Sequence, residues 1–143
     1  MTKSLSLLFL RVSTGLLCII WGFIRIGAPK IGAGVNGKYY GGILAGDIYQ
    51  YIWGGILLIV GLLTILGLMR KYAYPLQAVI LCSGALAIWK YLIDPLGLYL
   101  LDKESAQVLF VPSLGMAAAT LVLIAFRHED RIALDVKLGI GKP

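Results

Sequence analysis

Apolar residues fall into four long blocks along the chain, separated by shorter polar or glycine-rich segments. Each block approaches the roughly 20 residues that a helix needs to cross the hydrocarbon core of a bilayer. They predict helices over about residues 5–26, 48–69, 73–93 and 106–126. Arg70 and Lys71 are expected to stop the second helix. Pro75 is expected in the first turn of the third, where proline is tolerated. Asp94-Pro95 is expected to end it, because the residue before proline disfavours helical backbone. Residues 27–47 read as a long glycine-rich loop with an Asn36-Gly37 turn, and residues 127–143 as a charged tail. The four blocks use most of the chain, so residues 1–143 read as one domain: an all-α membrane protein, a bundle of four transmembrane helices.

Polar positions inside the blocks are spaced helically. In the first, Arg11, Gly15, Cys18, Gly22 and Arg25 recur at steps of four and three, which places them on one face. The third offers Ser83, Ala87, Lys90 and Asp94, with Lys90 and Asp94 as an i, i+4 pair. The fourth offers Ser113, Ala117, Thr120 and Arg127. Small residues allow helices to approach closely in lipid, so the three stripes are expected to meet in the bundle centre. An ionisable residue within a span is by default a candidate functional site. The competing reading is ion pairing, or snorkelling of Arg11 and Lys90 to a membrane face.

Composition supports the membrane reading: 59% of residues are hydrophobic, 14% are charged and mean hydropathy is +0.89, too apolar for a water-facing surface. The net charge of +6 would suggest nucleic acid in a soluble protein. Here it is assigned to helix ends beside anionic lipid, and no nucleic acid is expected. With four spans, Lys3, Arg70, Lys71, Arg127, Arg131, Lys137 and Lys142 share one side, against Arg25, Lys30, Lys38 and Lys103 on the other, a bias of seven to four. That bias predicts cytoplasmic N and C termini. Tyr49, Tyr51, Trp53, Trp89, Tyr91 and Tyr99 are expected as aromatic anchors at the outer face, and Tyr72 and Tyr74 at the inner. Lys3 ahead of an apolar block also resembles a signal-peptide start. The block is long for one and no A-x-A site follows, so a retained anchor is expected.

Little in the chain points to covalent chemistry. Gly32–Lys38 matches both GxGxxG and GxxxxGK, but no strand precedes it and Tyr39 stands where a magnesium-binding Ser or Thr belongs, so no nucleotide is expected. Cys18 and Cys82 read as small buried hydrophobes. His128 is the only histidine, too few for a zinc site or a haem pair. No nucleophile–base pair, carboxylate dyad or metal-ligand spacing is present, so no catalytic residue and no metal are predicted.

Leu10-Arg11-Val-Ser-Thr-Gly15 with Trp21-Gly22 and Lys30 resembles the first helix of DoxX-like membrane proteins, and Gly54-Gly55 through Gly61 to Thr64 their second. Asp94-Pro95-Leu-Gly97, Leu109-Phe110-Val-Pro112-Ser113 and Ala125-Phe126-Arg127-His-Glu-Asp130 with Leu134-Asp135 are similar to a bacterial subgroup of that family. The resemblance implies a multi-pass, four-helix protein of the bacterial inner membrane, linked to redox systems that include thiosulfate:quinone oxidoreductases. One position departs from it. Gln50 stands where many members carry an acid at the start of the second helix, with Asp47 three residues earlier.

The leading expectation is a non-catalytic accessory subunit of a redox or respiratory membrane system. One alternative is a quinone-binding subunit of a thiosulfate:quinone-type oxidoreductase. Another is a small-molecule carrier, against which stand the absence of a visible inverted repeat and the small number of helices. The candidate ligand-binding residues are Arg11, Arg25, Tyr39, Tyr40, Trp89, Lys90 and Asp94. The expected partners are the lipid bilayer and either other subunits of a redox complex or further copies of this chain. Quinone is the one candidate cofactor.

Overall fold

Packing in the computed structural model, which describes residues 1–43 and 46–140, turns the usual distribution of polarity inside out. Buried side chains include Arg11, Thr14, Gln50, Thr64, Gln77 and Thr120, while Phe9, Leu16, Phe23, Ile59, Leu62 and Leu121 face outward. Large apolar faces turned outward are stable only against another apolar medium. The described residues form helices and turns, without strands: α1 (Thr2–Gly27), α2 (Pro29–Tyr39), α3 (Asp47–Leu66), α4 (Arg70–Ala87), α5 (Trp89–Ile93), α6 (Val111–Ala125) and α7 (Leu134–Lys137). Thr2–Gly27, Asp47–Leu66 and Val108–Ala125, which includes a 3-10 turn ahead of α6, are each long and apolar enough to cross a membrane. The chain is an all-helical membrane protein.

Helices α1 and α3 cross through two reciprocal glycine contacts. A Cβ on Gly61 would lie 2.7 Å from the Gly15 carbonyl oxygen, and one on Gly15 would lie 2.8 Å from that of Gly61. Seven residues along each helix, Gly22 and Gly54 repeat the arrangement at 2.9 and 3.0 Å. Helix α4 packs on α6, and contacts of α3 with α4 and of α1 with α6 join the two pairs. Leu7, Ala73, Tyr74 and Leu123 form the apolar core where α1, α4 and α6 meet. Lys3 pairs with Glu129, so the start of α1 and the chain beyond α6 lie at the same end of the molecule.

Five expectations are corrected. The glycine-rich loop after α1 contains the helix α2, opened by Pro29 at its first position, and Asn36-Gly37 lies near the end of that helix. Helix α4 starts at Arg70, so Pro75 sits inside it rather than in the first turn. That early start is possible because Asp135, 65 residues away in sequence, accepts the Met69 and Arg70 backbone N–H groups, both at 2.9 Å. The third predicted helix is interrupted at Ile88, a buried residue that separates α4 from α5. The charged tail is folded: it forms α7, and it buries Asp130 and Asp135. Tyr74, expected at a membrane face, is fully buried against Asp130.

The glycine crossing yields a direct test. Gly61→Leu drives a side chain into the Gly15 backbone and is expected to cost about 1–3 kcal/mol or more. A Cβ on Gly55 meets nothing within 4 Å. Gly55→Ala is therefore expected to stay within about 0.5 kcal/mol of the parent. Unfolding in neutral detergent, followed by circular dichroism, measures both.

Candidate functional site

The α1 stripe keeps its predicted orientation: Arg11, Gly15, Cys18, Gly22 and Arg25 are all buried. The same step rule on α3 selects Gln50, Gly54, Leu57, Gly61 and Thr64, which are also buried. These two faces meet and place one arginine toward each end of the molecule.

At the end where Lys3 meets Glu129, Arg11 pairs with Asp130 at 3.4 Å, and Tyr74 donates its hydroxyl to the same carboxylate at 2.8 Å. Arg70 lies 3.5 Å from the Asp135 carboxylate and donates to the carbonyl oxygens of Arg127 and Asp130 at 2.7 and 3.0 Å. Gly67 ends α3 in the left-handed conformation, and a Cβ there would collide with Arg11 and Ala133. The site is thus a packed, charge-balanced clamp between the tail and the α3–α4 turn.

The opposite end is built differently. Arg25 donates from Nη1 to the Gln50 side-chain oxygen at 2.6 Å and from Nη2 to that of Asn36 at 3.2 Å. Asn36 in turn donates to the Ile43 carbonyl oxygen at 3.2 Å. Among the described residues no carboxylate lies within 4 Å of Arg25. Below this group lies an open-sided cavity of about 590 Å³ between α1, α3, α4 and the start of α6. Arg25, Asn36 and Tyr40 form one polar part of its lining, while Trp21, Trp53 and Leu57 belong to its mainly apolar walls. Burial pushes the Tyr40 phenol up and Arg25 draws it partway back, so it is a neutral hydrogen-bond donor near pH 7. Cys18 also lines the cavity and accepts from Gln77 at 3.7 Å.

Two of the seven predicted ligand residues, Arg25 and Tyr40, therefore meet at the cavity. Tyr39 stands just behind it in a three-ring cluster with Tyr91 and Phe110, whose centroids lie 4.9–5.5 Å apart. Phe110 itself lines the cavity. Arg11 belongs to the clamp at the other end. Trp89 and Lys90 are exposed, with the ammonium 5.9 Å from the indole centroid, and Trp89 faces a separate apolar groove between α4, α5 and α6. The expected Lys90–Asp94 pair does not form. Asp94 accepts the backbone N–H groups of Leu98, Tyr99, Leu100 and Leu101 at 2.7–3.1 Å, because α5 ends before it and the following loop wraps its carboxylate. Ser83 and Ala87 line the cavity, so this part of the α4 stripe faces the bundle, whereas Lys90 and Asp94 do not reach the cavity. Asn36 and Gln50 were missed as site residues. Gln50 was accessible to the step rule, whereas Asn36 was hidden by the loop reading.

No protein-family model matches the chain, and neither curated proteins nor solved structures show a significant similarity to it.

Asp94 and Asp130 are expected to respond differently from Lys90. Removal from water raises the Asp94 pKa, but four N–H donors outweigh this and hold it well below the usual carboxylate range. Its stabilising contribution is therefore complete above about pH 4 and is lost as pH falls further. Asp94→Ala should lower the melting temperature at neutral pH, and the difference from the parent should shrink on acidification. Asp130→Ala leaves Arg11 buried without its anion and is expected to cost about 3–5 kcal/mol. Lys90→Ala should leave the melting temperature unchanged. Thermal unfolding across a pH series checks all three.

Proposed function

We propose that this chain is a non-catalytic, multi-pass subunit of DoxX-like type in the bacterial inner membrane, and that it holds an amphiphilic small molecule for a redox-linked membrane system. The observation that carries this reading is the cavity of about 590 Å³, whose walls are mainly apolar and one polar part of which is formed by Arg25, Asn36 and Tyr40. Small-molecule sites generally combine these features: a concave apolar volume of about 300–1,000 Å³ and a few convergent polar groups. A quinone fits the same description, since its carbonyl oxygens can accept from Arg25 and Tyr40 while its tail lies along the apolar walls. The DoxX-like resemblance and its link to quinone-dependent systems add quinone to the candidates.

In this reading α4 is the fourth transmembrane helix, extended by α5, and both termini are cytoplasmic. One observation supports an even number of crossings: the Lys3–Glu129 pair sets the start of α1 beside the segment that follows α6. The seven-to-four bias of basic residues, counted on four spans, then assigns that end to the cytoplasm.

Topology and ligand are tested separately. Single cysteines introduced at Gly37 and Lys103 should react with an impermeant maleimide in intact cells, and those at Lys71 and Lys137 only after permeabilisation. The reverse pattern would invert the orientation. Protein extracted without harsh delipidation should carry a stoichiometric amphiphile, detected by mass spectrometry and lost in Gly84→Phe. Gly84 lines the cavity, and a Cβ there comes no nearer than 3.9 Å to its one neighbour, the Tyr40 hydroxyl, so a large ring can enter the space.

A further inference from the structure

The three buried arginines are not equivalent. Arg11 and Arg70 each face a carboxylate, at 3.4 and 3.5 Å. Arg25 is 7% exposed and, among the described residues, its hydrogen bonds go to the amide oxygens of Gln50 and Asn36. Amide dipoles orient a guanidinium but do not neutralise it, and a buried cation without an anion is costly. Among the described residues the Arg25 Nε–H is buried without a hydrogen bond, as are those of Arg11 and Arg70, but Arg25 has no carboxylate within 4 Å. The Arg25 Nε–H lies on the side chain that forms part of the cavity's polar lining. A guanidinium offers its N–H groups as a fork that matches a carboxylate or phosphate.

We infer that the cavity selects amphiphiles with an anionic oxygen head, a carboxylate or a phosphate ester on an acyl chain, and that Arg25 supplies the head-group cation. This rests on reading the cavity as an amphiphile site and sets an anionic head against the neutral head of a quinone. The neutral Tyr40 hydroxyl donates to the same head, and the apolar walls between α1, α3 and α4 receive the chain. The bound anion completes a charge balance that the protein achieves internally at its other end.

Trp21 and Trp53 line this cavity and Trp89 lines the separate groove, so a Trp89→Phe background makes tryptophan fluorescence a local reporter. In neutral detergent, dibromostearic acid should quench that fluorescence saturably and bind about tenfold or more tighter than dibromostearyl alcohol. Gln50→Glu introduces a carboxylate within reach of Arg25, and Arg25→Gln removes the cation. Each should abolish the preference for the acid. The glutamate variant retains the arginine and serves where loss of the arginine loosens the fold. Dibrominated phosphatidylglycerol, compared with phosphatidylcholine, distinguishes a lipid head group from a free acid. Arg25-dependent quenching by the former alone would support the anionic head and identify lipid as its source. Equal binding of acid and alcohol, abolished by Gly84→Phe, would overturn the anionic preference and leave the amphiphile site intact. Absence of saturable quenching by every probe would overturn both.

Discussion

The close crossing of α1 and α3 orients everything else. Gly15 with Gly61 and Gly22 with Gly54 bring the two backbones together at two points, one heptad apart. In lipid, where apolar side chains gain little by leaving one apolar medium for another, such backbone proximity is a principal means of holding helices together. The glycines share their stripe with Arg11, Cys18 and Arg25. Bringing them to the interface therefore turns both arginines inward and sets them at opposite ends. It also directs Gln50 and Thr64 of α3 inward.

The two ends treat the resulting buried charge in opposite ways. Near the termini, Asp130 and Asp135 come in from the segment after α6 and face Arg11 and Arg70. Asp135 also caps the start of α4, so one carboxylate closes a helix terminus and balances a cation. At the far end Arg25 has dipolar partners and an adjoining cavity. The first arrangement closes a scaffold, and the second leaves a guanidinium beside a cavity.

The structure around the cavity is held by parts that carry no charge toward it. The Tyr39–Tyr91–Phe110 cluster ties α2 to α5 and to the turn before α6, with edge-to-face geometry that aromatic rings favour. Asp94 organises the loop beyond α5 through backbone N–H groups alone. With these elements fixed, the side chains of Arg25, Asn36 and Tyr40 converge at the cavity.

The membrane class, the approximate positions of the long helices and the inward face of α1 were legible in the sequence, because hydropathy and helical spacing are local properties. Arg25 could be selected on the same grounds, and the spacing of Gln50 with the α3 glycines could have added a second residue, whereas Tyr40 was chosen as an aromatic hydrogen-bond donor in the loop and not by periodicity. Helix α2 was not legible, since glycine and Asn-Gly favour turns when considered alone, while in the fold Gly32 packs against Arg25 and Gln50 and Tyr39 joins a ring cluster. The Lys90–Asp94 pair failed for a related reason: i, i+4 spacing matters only while the helix continues, and here a loop supplies better donors to the carboxylate. The roles of Asp130 and Asp135 lay outside any local pattern. Whether a charged residue is solvated or buried depends on what reaches it from distant parts of the chain, and for these two carboxylates that is Arg11 and Arg70. Local periodicity determined which faces turn inward; long-range contacts decided which charges are balanced and which one is left facing a cavity.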